Sequence, residues 1–192
     1  MMNESILKRE IEETLSVLQS SGIILYPTDT IWGIGGDATN AEAVRKIYEL
    51  KKREEKKSMI ILVTDEKMIH DYVSDPSKKI LEYLANQSHP TTAIFINAIN
   101  LPEGLINEDG SIAIRIVQDE FCQSLIQEFK KPLVSTSANI SGEKYPQNFS
   151  EINQEIKNGV DFIVQHRQND LKKHAPSSII KLDESGNVIH LR

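Results

Sequence analysis

Cysteine is nearly absent from this sequence: Cys122 is the single one among 192 residues. No disulfide can form within the chain, and one thiolate cannot build a metal site, which fits a reducing compartment. Cys122 follows Phe121 in an apolar stretch, so a buried, inert thiol is expected. Aromatic residues are scarce at 6%, too few for the stacking platforms of a nucleic-acid binder. None of the five histidines (His70, His89, His166, His174, His190) forms an i,i+4 pair around a glutamate, so a protein-built metal site is not expected. No apolar run approaches the ~18 residues of a membrane span. The first residues, MMNESILKREIEETLSVLQ, mix charges among apolar positions and hold no leader-like core. The expectation is a cytoplasmic protein without membrane association.

What is present describes a soluble α/β protein. At 192 residues with 39% hydrophobic side chains, the chain suits one domain over 1–192. The net charge of −6 argues against a broadly basic nucleic-acid surface. That figure hides a basic island. Residues 45–57 (RKIYELKKREEKK) carry seven basic and three acidic side chains, a local +4 that leaves −10 for the remainder. Local potential steers association, so the island either meets an anion or is a solvated helix end whose lysines complement the helix dipole.

Strand-like and helix-like segments interleave, which predicts a sizeable sheet flanked by helices. Residues 4–19 repeat apolar positions at helical spacing behind Asn3 as a cap, and GIILYP reads as a buried strand. Residues 28–39 are polar and glycine-rich and read as a loop, after which Asn40 can cap a helix to Leu50. MIILVT, TTAIFIN, SIAIRIV and PLVSTSA read as strands. Helices are expected at 76–86, 119–129 and 149–158, with three closing strands in DFIVQ, SSIIKL and NVIHLR. The least regular stretches, 98–110 and 139–149, are candidate rims or lids.

Four segments carry chemistry. Tyr26-Pro27-Thr28-Asp29-Thr30 follows a strand, where α/β sheets place ligands, and Gly33, Gly35 and Gly36 permit close backbone approach. It is neither a Walker loop nor a dinucleotide fingerprint, because the lysine and the third glycine are missing from their places. In an extended Lys51-Lys52-Arg53, positions two apart share a side, so Lys51 and Arg53 would converge on one anion. Ser137 and Asn139 repeat that spacing after a strand in STSANISG and offer a hydroxyl and an amide. A serine nucleophile would need a base, and no elbow motif or nearby histidine supplies one. Arg115 is a lone cation in an apolar strand, either solvent-facing or paired within a site.

In order and spacing, YPTDTIWGIGGDATN, AVRKIYELKKR, STSANISG and PSSII resemble the L-threonylcarbamoyladenylate synthase family, the YrdC-like proteins, in a single-domain short form. The resemblance runs from about Gly22 to the C-terminus and keeps the Lys-x-Arg and Ser-x-Asn markers as Lys51, Arg53, Ser137 and Asn139. It departs at Trp32, Glu54 and Leu62, where members often have tyrosine, proline and, after the basic motif, histidine. The resemblance implies a twisted mixed sheet flanked by helices, with a concave, positively charged cavity. It implies formation of threonylcarbamoyl-AMP and pyrophosphate from L-threonine, bicarbonate and ATP, with Mg²⁺ carried on the ATP. The product would serve tRNA modification, with tRNA or tRNA-modification proteins as partners. Thr30 and Ser177 would touch threonine, Arg115 would hold its carboxylate, and Lys57, Ser111, Gln147 and Arg192 would meet the nucleotide. No dedicated protein base is expected. The alternative is an RNA-binding module on the same surface, without synthase activity.

Overall fold

In the computed structural model, which describes residues 4–53 and 59–192, the expected elements form around one mixed sheet. In chain order they are α1 (Glu4–Gln19), β1 (Ile24–Tyr26), β2 (Gly33–Asp37), α2 (Ala41–Lys51), β3 (Ile60–Val63), α3 (Glu66–His70), α4 (Lys78–Ala85), β4 (Thr91–Phe95), β5 (Ile112–Ile116), α5 (Glu120–Phe129), β6 (Leu133–Ser137), α6 (Gln154–Gly159), β7 (Phe162–Ile163), β8 (Ser178–Leu182) and β9 (Val188–His190). The strand order is β7-β1-β2-β6-β3-β5-β4-β8-β9 among the described residues. Asn3, the expected cap of α1, lies outside them. Asn40 caps α2, its side chain accepting from the Glu42 and Ala43 N–H groups, and Asp119 caps α5 by accepting from the Cys122 N–H.

The sheet explains the strand sequences. Successive side chains alternate between faces. Leu25, Ile34, Ile61, Val63, Ala93, Phe95, Ile112, Ile114, Val134 and Ile180 point to one face, where α2, α3, α4 and α6 bury them. Ile24, Tyr26, Leu62 and Leu133 point to the other, under α1 and α5. Those two helices reach across only part of that second face. Beyond them the positions of the same parity include Gly33, Ser135, Ser137, Arg115, Thr92 and Ile179. Hence β3 is apolar throughout, whereas β6 changes from Leu-Val to Ser-Thr-Ser as it leaves the cover of α5.

Two readings of local structure are corrected. The glycine-rich segment expected as a loop contains β2, an interior strand between β1 and β6. Glycine lowers strand propensity, but at Gly35 a Cβ would sit 2.5 Å from Tyr26 Cε1 and 2.9 Å from the Val134 carbonyl oxygen. The position lets the Tyr26 ring lie flat on the sheet. Second, Lys51-Lys52-Arg53 is not extended. Lys51 ends α2, and Lys52 takes a left-handed conformation at φ 50°. The cap, not strand alternation, therefore decides where Lys51 and Arg53 point.

Candidate functional site

The uncovered part of the second face floors a cavity of about 250 Å³. Its walls come from the turn after β1 (Thr28, Thr30, Ile31, Trp32), from Arg53 after α2, from Tyr145, and from Pro176-Ser177 with Arg192. Trp32 is backed by Phe149, with ring centroids 4.9 Å apart, and the Lys157 ammonium lies over the far ring at 4.5 Å. Three guanidinium side chains, Arg53, Arg115 and Arg192, border this space, with no aspartate or glutamate in the lining among the described residues.

Thr30, Arg53, Arg115, Ser137, Ser177 and Arg192 are thus brought together. Arg115 is 3% exposed and pairs with Asp29, Nη2 to Oδ1 at 3.0 Å. Its Nη2 also lies 3.5 Å from Thr28 Oγ1. The Thr28 hydroxyl donates to the Ile31 carbonyl at 2.9 Å, accepts the Thr30 N–H at 3.0 Å, and lies 2.9 Å from the Thr30 hydroxyl. The Ser177 and Thr92 hydroxyls lie 2.7 Å apart. Arg192 is no frayed end: its carbonyl accepts the Ile179 N–H at 3.1 Å and its Nε donates to the Ser177 carbonyl at 3.1 Å. Burial pulls Arg53 and Arg192 below the ordinary arginine range.

Lys51 and Asn139 do not line the cavity; they brace it from behind. The Lys51 ammonium is 1% exposed and donates to the carbonyls of Ser137 and Asn139, the latter at 2.6 Å. The Asn139 amide donates to the Glu143 carbonyl at 2.7 Å and the Ile140 carbonyl at 3.1 Å, and the Lys51 carbonyl accepts the Ser141 N–H at 2.8 Å. Burial, and next the Arg53 charge, lower the Lys51 ammonium from 10.5 to about 7. Ser111 closes a turn on Asn107, whose Nδ2 donates to its hydroxyl at 2.9 Å. Gln147 borders a separate small recess behind the Thr28–Trp32 turn, with Arg167 and His174. Lys57 lies outside the described residues.

Several residues with no assigned role take part. Asp29 was visible between two threonines, but nothing in the sequence pairs it with Arg115. Tyr145 sits on the rim within 139–149. Arg167, at φ 62°, donates to the Thr28 carbonyl at 3.0 Å and to Asp119 at 2.9 Å, strapping the β1 turn to α5. Cys122 is buried, and burial raises its thiol well above the ordinary range. The basic island divides: Arg45 pairs with Glu49, Lys46 with Glu42 at 3.4 Å, and Lys52 with Glu155 at 2.7 Å, while Arg53 lines the cavity.

Residues 16–192 match the Sua5/YciO/YrdC sequence family, described as "Telomere recombination". A Methanocaldococcus jannaschii protein, provisionally named threonylcarbamoyl-AMP synthase, is 33% identical over 193 residues, 100% of this chain and 88% of its own. A Pseudoalteromonas translucida protein named threonylcarbamoyl-AMP synthase is 30% identical over 157 residues, 80% of this chain and 84% of its own. Among solved structures, P. abyssi Sua5 complexed with L-threonine superposes with a TM-score of 0.84 at 20% identity, over 95% of this chain. This chain spans about half of that one, 53%. E. coli YciO superposes with a TM-score of 0.81 at 20% identity, over 96% of this chain and 89% of its own. The helix-flanked mixed sheet is therefore the fold of these proteins.

Proposed function

The chain belongs to the Sua5/YciO/YrdC family, and from that premise we propose that it is an L-threonylcarbamoyladenylate synthase, a nucleotidyltransferase that converts L-threonine, bicarbonate and ATP to threonylcarbamoyl-AMP and pyrophosphate. The observation that carries this reading is the convergence of Arg53, Arg115 and Arg192, from three distant parts of the chain, on one cavity rich in hydroxyls. The reaction brings a carboxylate, a carbonate and a triphosphate together, and fixed guanidiniums suit that load. The family's relatives named for this activity support the same assignment.

In this reading Arg115 takes the threonine carboxylate, with Thr30 and Ser177 beside it. Arg53, Ser137 and Arg192 face the nucleotide. Bicarbonate takes up a proton and loses water to give carbon dioxide, the threonine amine adds to its carbon and releases a proton to solvent, and the resulting carbamate oxygen attacks the α-phosphorus. The bond from that phosphorus to the bridging oxygen breaks, and pyrophosphate leaves. The lining supplies charge and orientation. Its guanidiniums and hydroxyls do not suit a protein-held divalent cation, so Mg²⁺ enters as part of MgATP, held by the triphosphate. The product would pass to tRNA modification in the cytoplasm. An RNA-binding role alone would use basic residues beyond the cavity, but Arg45, Lys46 and Lys52 are engaged by glutamates.

Pyrophosphate release by the purified chain, supplied with ATP, Mg²⁺ and bicarbonate, tests the reading. Release that depends on L-threonine is expected, together with a threonylcarbamoyl-AMP product by mass spectrometry. Equal release with and without threonine overturns it.

A further inference from the structure

Arg115 poses a problem of selection. A cavity bordered by three guanidiniums binds any polyanion, and a triphosphate carries more charge than an amino-acid carboxylate. Nothing in the charge of an arginine reserves it for the weaker anion. Behind Arg115 stands a carboxylate. Asp29 Oδ1 stands 3.0 Å from Arg115 Nη2, with the two side chains only 7% and 3% exposed. The other Asp29 oxygen accepts the Gln118 N–H at 3.2 Å, so the carboxylate is held from the strand-to-helix turn before α5.

The pair is close without being aligned as a hydrogen bond. Among the described residues, Asp29 Oδ1 and Arg115 Nε both lack a hydrogen-bond partner and are fully buried. A buried donor left over costs stability, and here it belongs to a side chain that lines the cavity. Asp29 stands between Thr28 and Thr30, both of which line the cavity, so one turn carries the carboxylate and both hydroxyls. Asp29 also borders an adjoining recess with Thr30, Ser177 and Arg192.

We propose that Asp29 is a positioning residue: by pairing with Arg115 it reserves that guanidinium for the α-carboxylate of the amino acid and withholds it from the polyphosphate. The proposal rests on the synthase reading above. Asp29 neutralises the net charge at that end of the cavity. A zwitterionic amino acid, which brings no net charge, is then tolerated there, while a polyanion is repelled by the carboxylate.

The near-isosteric Asp29→Asn variant tests this through two readouts that a purely structural role would not move. The threonine KM should rise by about tenfold or more while kcat and the ATP KM stay within about threefold. Inorganic tripolyphosphate should not compete with threonine in the parent and should become competitive with it in the variant. If Asp29 acts through Arg115, the double variant Asp29→Asn/Arg115→Met should be no worse for threonine than Arg115→Met alone. Additive losses, or equal rises in both KM values, overturn the proposal. Should Asp29→Asn fail to fold, Asp29→Glu keeps the charge but displaces it, and a raised threonine KM at unchanged ATP KM is expected; parental values overturn it. If the parent releases no threonine-dependent pyrophosphate, the synthase reading falls separately. Calorimetric titration with L-threonine then decides the role of Asp29: weaker binding by Asp29→Asn supports it, and equal binding, or none by the parent, overturns it.

Discussion

At the residue scale, Lys51 and Arg53 are two cations with different duties. Lys51 satisfies carbonyls of Ser137 and Asn139 from inside the protein, whereas Arg53 borders the cavity. Lys51→Ala strands those acceptors and should cost about 1–3 kcal/mol in urea unfolding. Arg53→Ala should cost about 1 kcal/mol or less, yet lower threonine-dependent pyrophosphate release by about a hundredfold, as loss of a charge-stabilising group does. The lowered Lys51 ammonium also sets a pH dependence. From about 7 to its ordinary 10.5 the folded chain binds fewer protons at this position than the unfolded chain. Stability therefore rises with pH across that window. Unfolding free energies at pH 7 and pH 9.5 should show the rise in the parent, and Lys51→Met should lose it. Spacing alone singled out both residues. It could not separate brace from ligand, because their difference is burial, and burial belongs to the turn at Lys52.

At the scale of elements, β2 is the strand that sequence pattern hid. Gly33, Gly35 and Gly36 removed the β-branched signal by which β3 and β5 were readable, so the segment looked like loop. Its glycines answer to neighbours: Gly35 to the Tyr26 ring, and Gly36 to Ala43 of α2, whose Cβ would lie 3.2 Å from an added one. Gly35→Ala should destabilise by about 1–3 kcal/mol, the usual cost of overpacking, read as a lower melting temperature. It should also disturb activity, since β2 pairs with β6 and sets the cavity floor between Gly33 and Ser137. The amphipathic helices were legible because caps and periodicity are local: Asn40 caps α2 as its position indicated, whereas Asp119, read as the first residue of its helix, proves to be the cap of α5.

Across the whole molecule, the site exists because two helices cover only part of a face that four helices fill on the other side. The remaining strand positions face an open concavity, and the C-terminal Arg192 completes its wall. Arg192→Ala removes a cavity cation while giving up a single bond to the Ser177 carbonyl. The ATP KM should rise by about tenfold, the worth of one charge-assisted contact, and the melting temperature should move by no more than about 2 °C. The sequence by itself determined the alternation of strands and helices, the Asn40 cap, the turn after β1 and the family to which the ordered motifs point, because each is written in neighbouring residues. Only the tertiary structure decided which cations share a cavity. Arg53, Arg115 and Arg192 lie far apart along the chain, and strand pairing and helix cover bring them together while turning Lys51 inward and setting Asp29 behind Arg115.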